Sequence, residues 1–323
     1  MSDPLATAEL IEDRGQAAVS DEFFRSRPFF DAEGVTHTLR MATDGGELRA
    51  PVILKEIPPS PGPDADPRPV GPELDAISPY GYPGVVAPAG VSADPATVDF
   101  STTGLVTVFI RHTLGAPPLS GASERNVVQI ADPELPPKSR PSDRNQINKN
   151  LRRGYEVQLL SGPETTASQR AGFSTAYEET MRRTGASERY FFAAAYFDRL
   201  LQSSQAWLAL ARAPNGEIAA ASIAVRSDGY LHYYLSGSTD SHLRDSPMKN
   251  VVASLIELSA EQGLPLNLGG GISPGDRLEE FKRGFANREL PWSTSEIVCD
   301  REAYARLTAG RVVDGFFPAY RAS

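Results

Sequence analysis

The stretch at residues 266–285, LNLGGGISPGDRLEEFKRGF, is the part of the chain around which the rest can be interpreted. Leu264, Leu266 and Leu268 alternate as residues of a strand do, and Pro265 confines ladder pairing there to one edge. Three glycines follow directly, and glycine lets a ligand or another backbone approach where a Cβ would clash. A tight turn explains three glycines equally well. A short helix with one lysine is predicted next.

Upstream of this stretch, residues 230–236 are rich in Tyr and Leu and predict a half-buried strand. Ser246 and Pro247 have the residue types of a helix N-cap and first helical residue. Gly263 predicts the left-handed end of that helix. Apolar residues recur between these signals at three- and four-residue spacing, which indicates one buried stripe: Met248, Val251, Val252, Leu255 and Ile256.

Three successive strands are predicted at residues 206–213, 218–226 and 230–236. Asn215-Gly216 and Asp228-Gly229 separate them, and both pairs are strong two-residue hairpin signals. The sequence therefore predicts a three-stranded meander.

A strand and three helices are predicted before the meander. The strand lies at residues 155–160, and a basic helix precedes it at residues 145–153. A further helix carries Phe173, Tyr177 and Met181 at four-residue spacing and ends at Gly185. The third of these helices is predicted at residues 187–202.

The first part of the chain holds most of the prolines and is predicted to be rich in loops. Residues 1–26 are expected to form a poorly anchored lead. Residues 37–41 and 48–57 predict a hairpin, residues 58–72 a proline-rich loop, and residues 105–112 and 126–130 further strands.

Prolines between residues 132 and 143 place a domain boundary in that segment. The predicted domains are residues 1–143 and 144–298. A C-terminal tail at residues 299–323 would be free to pack back on the first domain.

The composition sets limits on function. The chain has 323 residues, of which 40% are apolar, and 32 basic against 41 acidic residues give a net charge of −9. This charge disfavours a protein coated with basic residues for gripping DNA. Cys299 is the one cysteine, so an internal disulfide is excluded and a metal site is not expected. Residues 1–20 lack the apolar core of a signal peptide, and residues 190–197 form an apolar run too short to span a bilayer. A cytoplasmic protein without an integral membrane segment is expected, and the oligomeric state is left open.

The element order of the second domain is that of the GNAT acyltransferase fold. Two patterns further resemble the Fem-type (FemABX and FemAB-like) aminoacyl-tRNA-dependent peptidyltransferases. One is YLSGS at 234–238, a long helix, LGGG at 268–271 and FKRGF at 281–285. The other is SPYGYPG at 78–84, which is similar to an element of the family's first domain.

The sequence departs from the family pattern at several points. Ala286 follows Phe285 where the family has glycine, and Asn267 stands where many members carry aspartate. A coiled-coil insertion is missing from the second domain. Residues 243–247, LRDSP, replace the pyrophosphate loop of acetyl-CoA-dependent enzymes, which disfavours that donor.

The resemblance implies an α/β protein of two tandem GNAT-like domains with the active site in the cleft between them. The first domain would bind the acceptor and the second the donor. Lys282 would stabilise the tetrahedral oxyanion of acyl transfer, and Phe281 would shape the pocket. Considered without the resemblance, Lys282 is one exposed lysine on a charged helix.

The resemblance also implies a set of binding residues. Those expected to bind substrate are Lys55, Tyr80, Tyr82, Arg189, Tyr190, Tyr234, Ser236, Gly270, Gly271 and Arg283. Packing accounts equally well for the two tyrosines of the first domain, and a solvated strand end accounts for Lys55. Contacts with tRNA phosphate are expected at Ser246, Lys249, Lys149 and Arg152, although simple capping also explains Ser246.

A general base is not evident from the sequence. Histidine is the residue type that ordinarily titrates near neutral pH, so His232 and His242 are the residues considered, but a lone histidine is more often structural. The resulting hypothesis is aminoacyl transfer from charged tRNA to an amine, either a cell-wall precursor or a smaller biosynthetic amine or peptide, without a cofactor. An acyl-CoA-dependent N-acyltransferase and a non-catalytic GNAT-like binding module are the alternatives.

Overall fold

A computed structural model of the chain describes residues 6–58, 72–273, 275–309 and 315–322. The strands are β1 (Ala6–Ile11), β2 (His37–Thr43), β3 (Gly46–Glu56), β4 (Leu74–Ile77), β5 (Val98–Asp99), β6 (Leu105–Arg111), β7 (Ser123–Ala131), β8 (Glu156–Ser161), β9 (Ala206–Arg212), β10 (Ile218–Ser227), β11 (Tyr230–Ser238), β12 (Leu266–Gly269) and β13 (Arg288–Val298). The helices are α1 (Arg27–Glu33), α2 (Pro141–Arg152), α3 (Ala167–Thr184), α4 (Ala194–Leu200), α5 (Met248–Glu261), α6 (Arg277–Arg283) and α7 (Arg301–Thr308). Nearly all of the predicted proline-rich loop at residues 58–72 lies outside the described residues.

The chain divides into two compact units. The first comprises Met1–Arg125 and Trp292–Ser323, and the second comprises Asn126–Pro291. The prolines after residue 131 thus lie inside the second unit, and the chain returns to the first unit before the predicted tail begins. Within the described residues, every helix is too short or too polar to cross a lipid bilayer.

The first unit is built on a sheet with the strand order β5-β1-β2-β3-β4-β6-β13. The predicted hairpin is confirmed, since β2 and β3 pair antiparallel from His37 opposite Val52 to Thr43 opposite Gly46. The predicted lead is wrong, because β1 pairs antiparallel with β2. This strand is short and buries only Ala8 fully, so its sequence shows little alternation.

An aromatic cluster follows β1. Phe23, Phe24, Phe29 and Phe30 are fully buried. The rings of Phe23 and Phe24 meet edge to face with centroids 5.4 Å apart. Aromatic side chains contribute more buried apolar area than any other residue type, so this cluster anchors the N-terminal segment.

The C-terminal residues belong to the first unit. The hydroxyl of Tyr320 lies 2.7 Å from Thr107 Oγ1 and donates to Asp75 Oδ2 at 3.1 Å. Arg321 donates to both carboxylate oxygens of Asp75, at 2.5 and 2.9 Å. The segment around Tyr320 therefore packs on β4 and β6, as the sequence analysis allowed for the tail.

The second unit has the strand order β7-β12-β11-β10-β9-β8. Strands β9, β10 and β11 form the predicted antiparallel meander. Asp228 and Gly229 both have positive φ, 51° and 77°, as the predicted two-residue turn requires. Strand β12 is parallel to β11 and antiparallel to β7.

Helices cover the sheet of the second unit. The predicted apolar stripe of α5 is confirmed, because Val251, Val252 and Leu255 are fully buried in one core cluster with the leucines of β12. Helix α3 packs on β10 and β11. A Cβ on Gly237 of β11 would lie 2.3 Å from the carbonyl oxygen of Ala176 in α3, so this helix and strand touch through their backbones.

Two local helix predictions are wrong. The helix expected at residues 187–202 is a short 3-10 turn, Glu188–Tyr190, followed by α4 from Ala194. Ser246 is not an N-cap, because it adopts a left-handed conformation with φ 47° and Pro247 takes the cap position before Met248. Proline suits that position because it has no backbone N–H that would be left without a hydrogen-bond acceptor.

Candidate active site

Strands β11 and β12 pair over a short length and then part. Their parallel register holds Leu231 opposite Leu266 and His232 opposite Asn267. Strand β11 continues to Ser238, but within the described residues its pairing with β12 ends at His232. Tyr234 is the extra residue of a β-bulge, because Ile223 and Ala224 of β10 pair with Leu235 and Tyr233. The sheet of the second unit therefore opens beside the glycines that end β12.

Lys282 of α6 is buried next to this opening, with 8% of its surface exposed. Its Nζ donates to the carbonyl oxygen of Gly270 at 2.6 Å. Burial lowers the pKa of Lys282 to about 8, against a smaller upward effect of the Asp276 carboxylate. At pH 7 this side chain is therefore still mainly in its ammonium form. The site thus holds a desolvated cation close to the end of β12, and an exposed surface lysine is excluded.

The glycines allow this close approach. Gly269 has φ 75°, and a Cβ on it would lie 3.1 Å from Lys282 Nζ. A Cβ on Gly270 would lie 2.3 Å from the side-chain nitrogen Nδ2 of Asn126. Asn126 Nδ2 donates to the carbonyl oxygen of Gly271 at 3.1 Å. The three-glycine segment is therefore held from one side by Lys282 and from the other by Asn126.

Asp276 closes the loop that follows. Its carboxylate accepts from the backbone nitrogens of Ile272 at 2.6 Å and Ser273 at 2.9 Å. It also caps α6 by accepting from Glu279 N at 2.7 Å. These backbone donors, that of Glu279 first, lower the pKa of Asp276. A single carboxylate thus fixes the glycine loop to the first turn of the helix that carries Lys282.

Phe281 and Arg283 flank Lys282 on α6. Phe281 is half-buried, and its ring centroid lies 5.5 Å from that of Phe285. Arg283 is exposed and forms ion pairs with Glu279 and, at 3.3 Å, with Glu289. The guanidinium of Arg283 is therefore paired with two carboxylates in this structure. Phe281 instead packs against an aromatic ring.

The predicted residues of β11 and of the turn before α4 lie in the second unit as well. Tyr234 is half-buried, and its hydroxyl is 3.1 Å from that of Tyr196 in α4. Ser236 follows two positions later in the part of β11 beyond its pairing with β12. Arg189 is exposed, with its guanidinium 4.9 Å from the ring centroid of Tyr190. The described contacts of these residues do not include Lys282.

The two histidines considered as bases have structural partners. His232 is buried, its Nδ1 accepts from Asn267 Nδ2 at 3.0 Å, and its Nε2 donates to the backbone oxygen of Ser227 at 3.2 Å. Burial lowers the pKa of His232 to about 4. His242 lies between Tyr155, at 3.0 Å, and Glu217, at 3.1 Å. His232 therefore joins β11 to β12 as a neutral imidazole, and His242 links the turn before α5 to Tyr155 and to Glu217, the residue before β10.

The residues expected to contact phosphate lie on α2 and at the start of α5. Lys249 forms an ion pair with Asp143 at 2.8 Å, so its charge is compensated inside the protein. Lys149 and Arg152 are exposed on α2. Ser246 precedes α5 without a side-chain cap bond. Lys149 and Arg152 thus face solvent as a basic pair on one helix.

The remaining predicted residues belong to the first unit. Lys55 is exposed near the end of β3. The backbone nitrogen of Tyr80 donates to Glu33 Oε2 at 2.8 Å. The ring of Tyr82 meets that of Trp292 edge to face with centroids 5.3 Å apart. Both tyrosines thus take part in the packing of the first unit.

Sequence reasoning missed Asn126 and Asp276, which hold the loop in place. Asp276 followed by Glu279 is a helix-start pattern and identifies the N-cap of α6. Asn126 gives no such signal, because its role depends on the pairing of β7 with β12, which are far apart in the chain.

Comparisons with known proteins identify the fold. Residues 138–283 match the model of an acetyltransferase (GNAT) domain, and the match ends just beyond Lys282. The structure of FemX is similar over 92% of this chain and 99% of that one, with TM-score 0.60 and 11% identity. A domain described as the C-terminal domain of a lysylphosphatidylglycerol synthetase from Agrobacterium fabrum is similar over 90% and 92% of the two chains, with TM-score 0.53 and 11% identity.

None of the curated protein sequences matches this chain. At these identities the two structural likenesses concern the fold, and they confirm the resemblance inferred from the glycine loop and the FKRGF segment at that level. The chain therefore has a Fem-type fold and, in residues 138–283, a domain of the GNAT superfamily.

Proposed function

We propose that this protein is an acyltransferase that moves an aminoacyl group from a charged tRNA to an amine. The observation that carries the proposal is the buried ammonium of Lys282, held 2.6 Å from the carbonyl oxygen of Gly270 at the open end of β12. A fixed cation in a water-poor site stabilises the oxyanion of acyl transfer by several kcal/mol. The FemX-like fold and the GNAT domain support this assignment.

The proposed reaction is balanced without a cofactor. The amine nitrogen attacks the ester carbonyl carbon of the aminoacyl-tRNA, the C–N bond forms, and the C–O bond to the ribose breaks. The amine loses one proton and the departing ribose oxygen gains one. Lys282 donates a hydrogen bond to the carbonyl oxygen as its negative charge develops, and Phe281 provides an apolar wall. The ester itself supplies the free energy of the reaction.

Other residues keep the roles that the sequence predicts. We propose that Tyr234, Ser236, Arg189 and Tyr190 line the donor path and that Lys149 and Arg152 contact tRNA phosphate. Lys55, Tyr80 and Tyr82 are proposed to bind the acceptor. The acidic surface favours a small biosynthetic amine over a cell-wall precursor. The donor places the reaction in the cytoplasm.

An acyl-CoA donor is the second candidate, since the matching family model is that of an acetyltransferase domain. Against it stands the start of α5, where residues 240–245 form a 3-10 turn and Pro247 caps the helix in place of a glycine-rich pyrophosphate loop. Stabilisation of the protein by CoA derivatives in a thermal shift assay would favour this donor.

The deciding experiment follows label from a mixture of radiolabelled aminoacyl-tRNAs into a mixture of amines and peptides, with and without RNase pretreatment. Transfer that RNase abolishes supports the proposal and identifies the amino acid. Label that remains on tRNA, together with transfer from acyl-CoA, overturns it. Failure with every donor, together with recovery of a partner protein by pull-down, would favour a binding module.

A further inference from the structure

Gln129 is a polar residue in the interior of β7, where its neighbours are apolar. It is completely buried, between Val128 and Ile130, which are also buried. In the antiparallel ladder it stands opposite Gly269, the last residue of β12. Residues opposite one another in such a ladder have Cα atoms about 5 Å apart. Gln129 therefore stands at the same point of the sheet as the glycine loop.

The side-chain amide of Gln129 has a hydrogen-bond partner at its nitrogen end and none at its oxygen end within the described residues. Nε2 donates to Glu289 Oε1 at 3.0 Å. Because a carboxylate only accepts, this bond fixes which end of the amide is the nitrogen. Within the described part of the chain, Oε1 is buried and has no donor. A buried amide oxygen without a donor is rare in native structures and calls for an explanation.

Gln129 and Lys282 lie on the same side of the sheet. Side chains two residues apart on a strand share a face, and Ala131 of β7 packs in the core cluster that contains Phe285, just after α6. Gly269 stands between the two residues, because it pairs with Gln129 and a Cβ on it would lie 3.1 Å from Lys282 Nζ. A buried cationic donor and a buried neutral acceptor thus flank one glycine.

Lys282 also has hydrogen-bonding capacity to spare. An ammonium carries three donors, and among the described residues one acceptor, Gly270 O, is within hydrogen-bond distance of Nζ. Spare donors on Lys282 and an unfilled acceptor on Gln129 match the two polar ends of an aminolysis transition state. There the carbonyl oxygen becomes negative and the attacking nitrogen becomes positive.

We propose that Gln129 Oε1 accepts a hydrogen bond from the N–H of the attacking amine and so aims the nitrogen lone pair at the carbonyl that Lys282 polarises. This inference rests on the proposed aminoacyl transfer. Gln129 takes up no proton, since a neutral amide is not a base at neutral pH. The proton lost by the amine ends on the departing ribose oxygen, as in the overall reaction.

The test compares Gln129→Met, which keeps the length of the side chain but removes the amide, with Glu289→Ala, which removes the partner of Nε2 and leaves Oε1 in place. Transfer from radiolabelled aminoacyl-tRNA to a mixture of amino acid amides is measured. Gln129→Met should lower kcat/KM for the amine about tenfold to a hundredfold, with the KM for aminoacyl-tRNA unchanged. Glu289→Ala should lower kcat/KM for the amine by less than Gln129→Met does, because Oε1 is retained.

A stability measurement decides whether Oε1 is free in the resting protein. In the Glu289→Ala background, adding Gln129→Met should leave the Tm unchanged or raise it, because no bond remains to be lost. A clear fall in Tm on adding Gln129→Met to the Glu289→Ala variant would show that Oε1 is bonded inside the protein and would overturn the inference. A clear fall in Tm on adding Gln129→Leu to the same variant would have the same meaning.

The outcomes separate the two proposals. Wild-type transfer that depends on Lys282 but not on Gln129 overturns this inference alone. Absence of transfer by the wild type to any amine overturns the proposed function and this inference with it. Equal losses in Gln129→Met and Glu289→Ala would assign Gln129 a packing role and would also overturn the inference.

Discussion

Gly270 lies so close to Asn126 that a Cβ on this glycine would be 2.3 Å from the side-chain nitrogen Nδ2 of Asn126. The same glycine accepts the hydrogen bond of Lys282 through its carbonyl oxygen. The side chain of Asn126, in turn, holds Gly271 O at 3.1 Å. The position of the lysine therefore depends on the absence of one methyl group at residue 270.

Gly270→Ala is expected to move the loop and with it the carbonyl that Lys282 contacts. Overpacking of this kind costs about 1 to 3 kcal/mol of unfolding free energy, and misplacement of a catalytic group by 1 Å costs about a hundredfold in rate. We expect turnover to fall at least tenfold while the protein remains folded. Steady-state kinetics and urea unfolding measure the two effects.

A second substitution checks the cause. Asn126→Ala removes the atoms that the new methyl group would meet, so Asn126→Ala and Gly270→Ala should be coupled. The double variant should then be about as stable as Asn126→Ala alone. Strict additivity of the two losses would show that the contact with Asn126 is not the reason for the glycine.

Lys282→Met tests the proposed role of the buried cation. Methionine fills a similar volume without a charge, and removal of a buried cation relieves its desolvation cost, so the fold should persist. We expect kcat to fall about a hundredfold or more, because the oxyanion loses its charged donor. Lys282→Arg serves as the control and should retain part of the activity. Wild-type turnover in Lys282→Met would remove the assignment.

The lowered pKa of Lys282, about 8, predicts a pH dependence of turnover. The cation is present below that pH and is lost above it. Arginine stays charged throughout this range, and the amine substrate titrates identically with both enzymes. The ratio of kcat for the wild type to kcat for Lys282→Arg should therefore fall as pH rises from 7 to 9.5. A constant ratio would contradict a role for the charged lysine.

Stability gives an independent check of the same pKa. In the unfolded chain Lys282 titrates near its ordinary pKa of about 10.4, so between about pH 8 and that value the unfolded state binds more protons than the folded one. The unfolding free energy of the wild type should then rise with pH over this interval, relative to that of Lys282→Met. Parallel curves from urea unfolding would show that the pKa is not lowered.

Most of the second unit was predictable from local patterns. The stripe of α5, the glycine that ends α3 and the two-residue turn at Asp228-Gly229 each depend on residues near one another in sequence, and each appears in the structure. The two-residue turn predicted at Asn215-Gly216 is wrong in length, because Ala213 N donates to Glu217 O across a turn that also includes Pro214. The short strand β1 was not predictable, because ATAELI lacks a long alternation and gains its place by pairing with β2. Tertiary pairing overrides weak local preference in such segments.

The candidate site was predictable only in part. The glycines and Lys282 stand out in the sequence, but the burial of Lys282 does not, since EEFKRGF is equally typical of an exposed charged helix. Asn126 and Gln129 become part of the site because β7, more than a hundred residues before β12 in the chain, pairs with it. Such long-range contacts leave no periodicity in the sequence.

The C-terminal segment of the first unit offers a final prediction. Asp75 is 4% exposed, and it depends for its charge compensation on Arg321, whose Nε and Nη2 lie 2.5 and 2.9 Å from the carboxylate. Arg321→Met would leave this carboxylate buried without its cation. We expect the unfolding free energy to fall by about 2 to 3 kcal/mol, as for other buried charges that lose a partner.

Two controls make the prediction specific. Arg301→Met changes an exposed arginine of α7 and should alter stability by less than about 0.5 kcal/mol. Asp75→Asn combined with Arg321→Met removes the uncompensated charge while the hydroxyl of Tyr320 can still donate to residue 75. The double variant should therefore be more stable than Arg321→Met alone in urea unfolding. If the two unfold at the same urea concentration, the loss comes from the packing of the arginine stem against the unit and not from the stranded carboxylate.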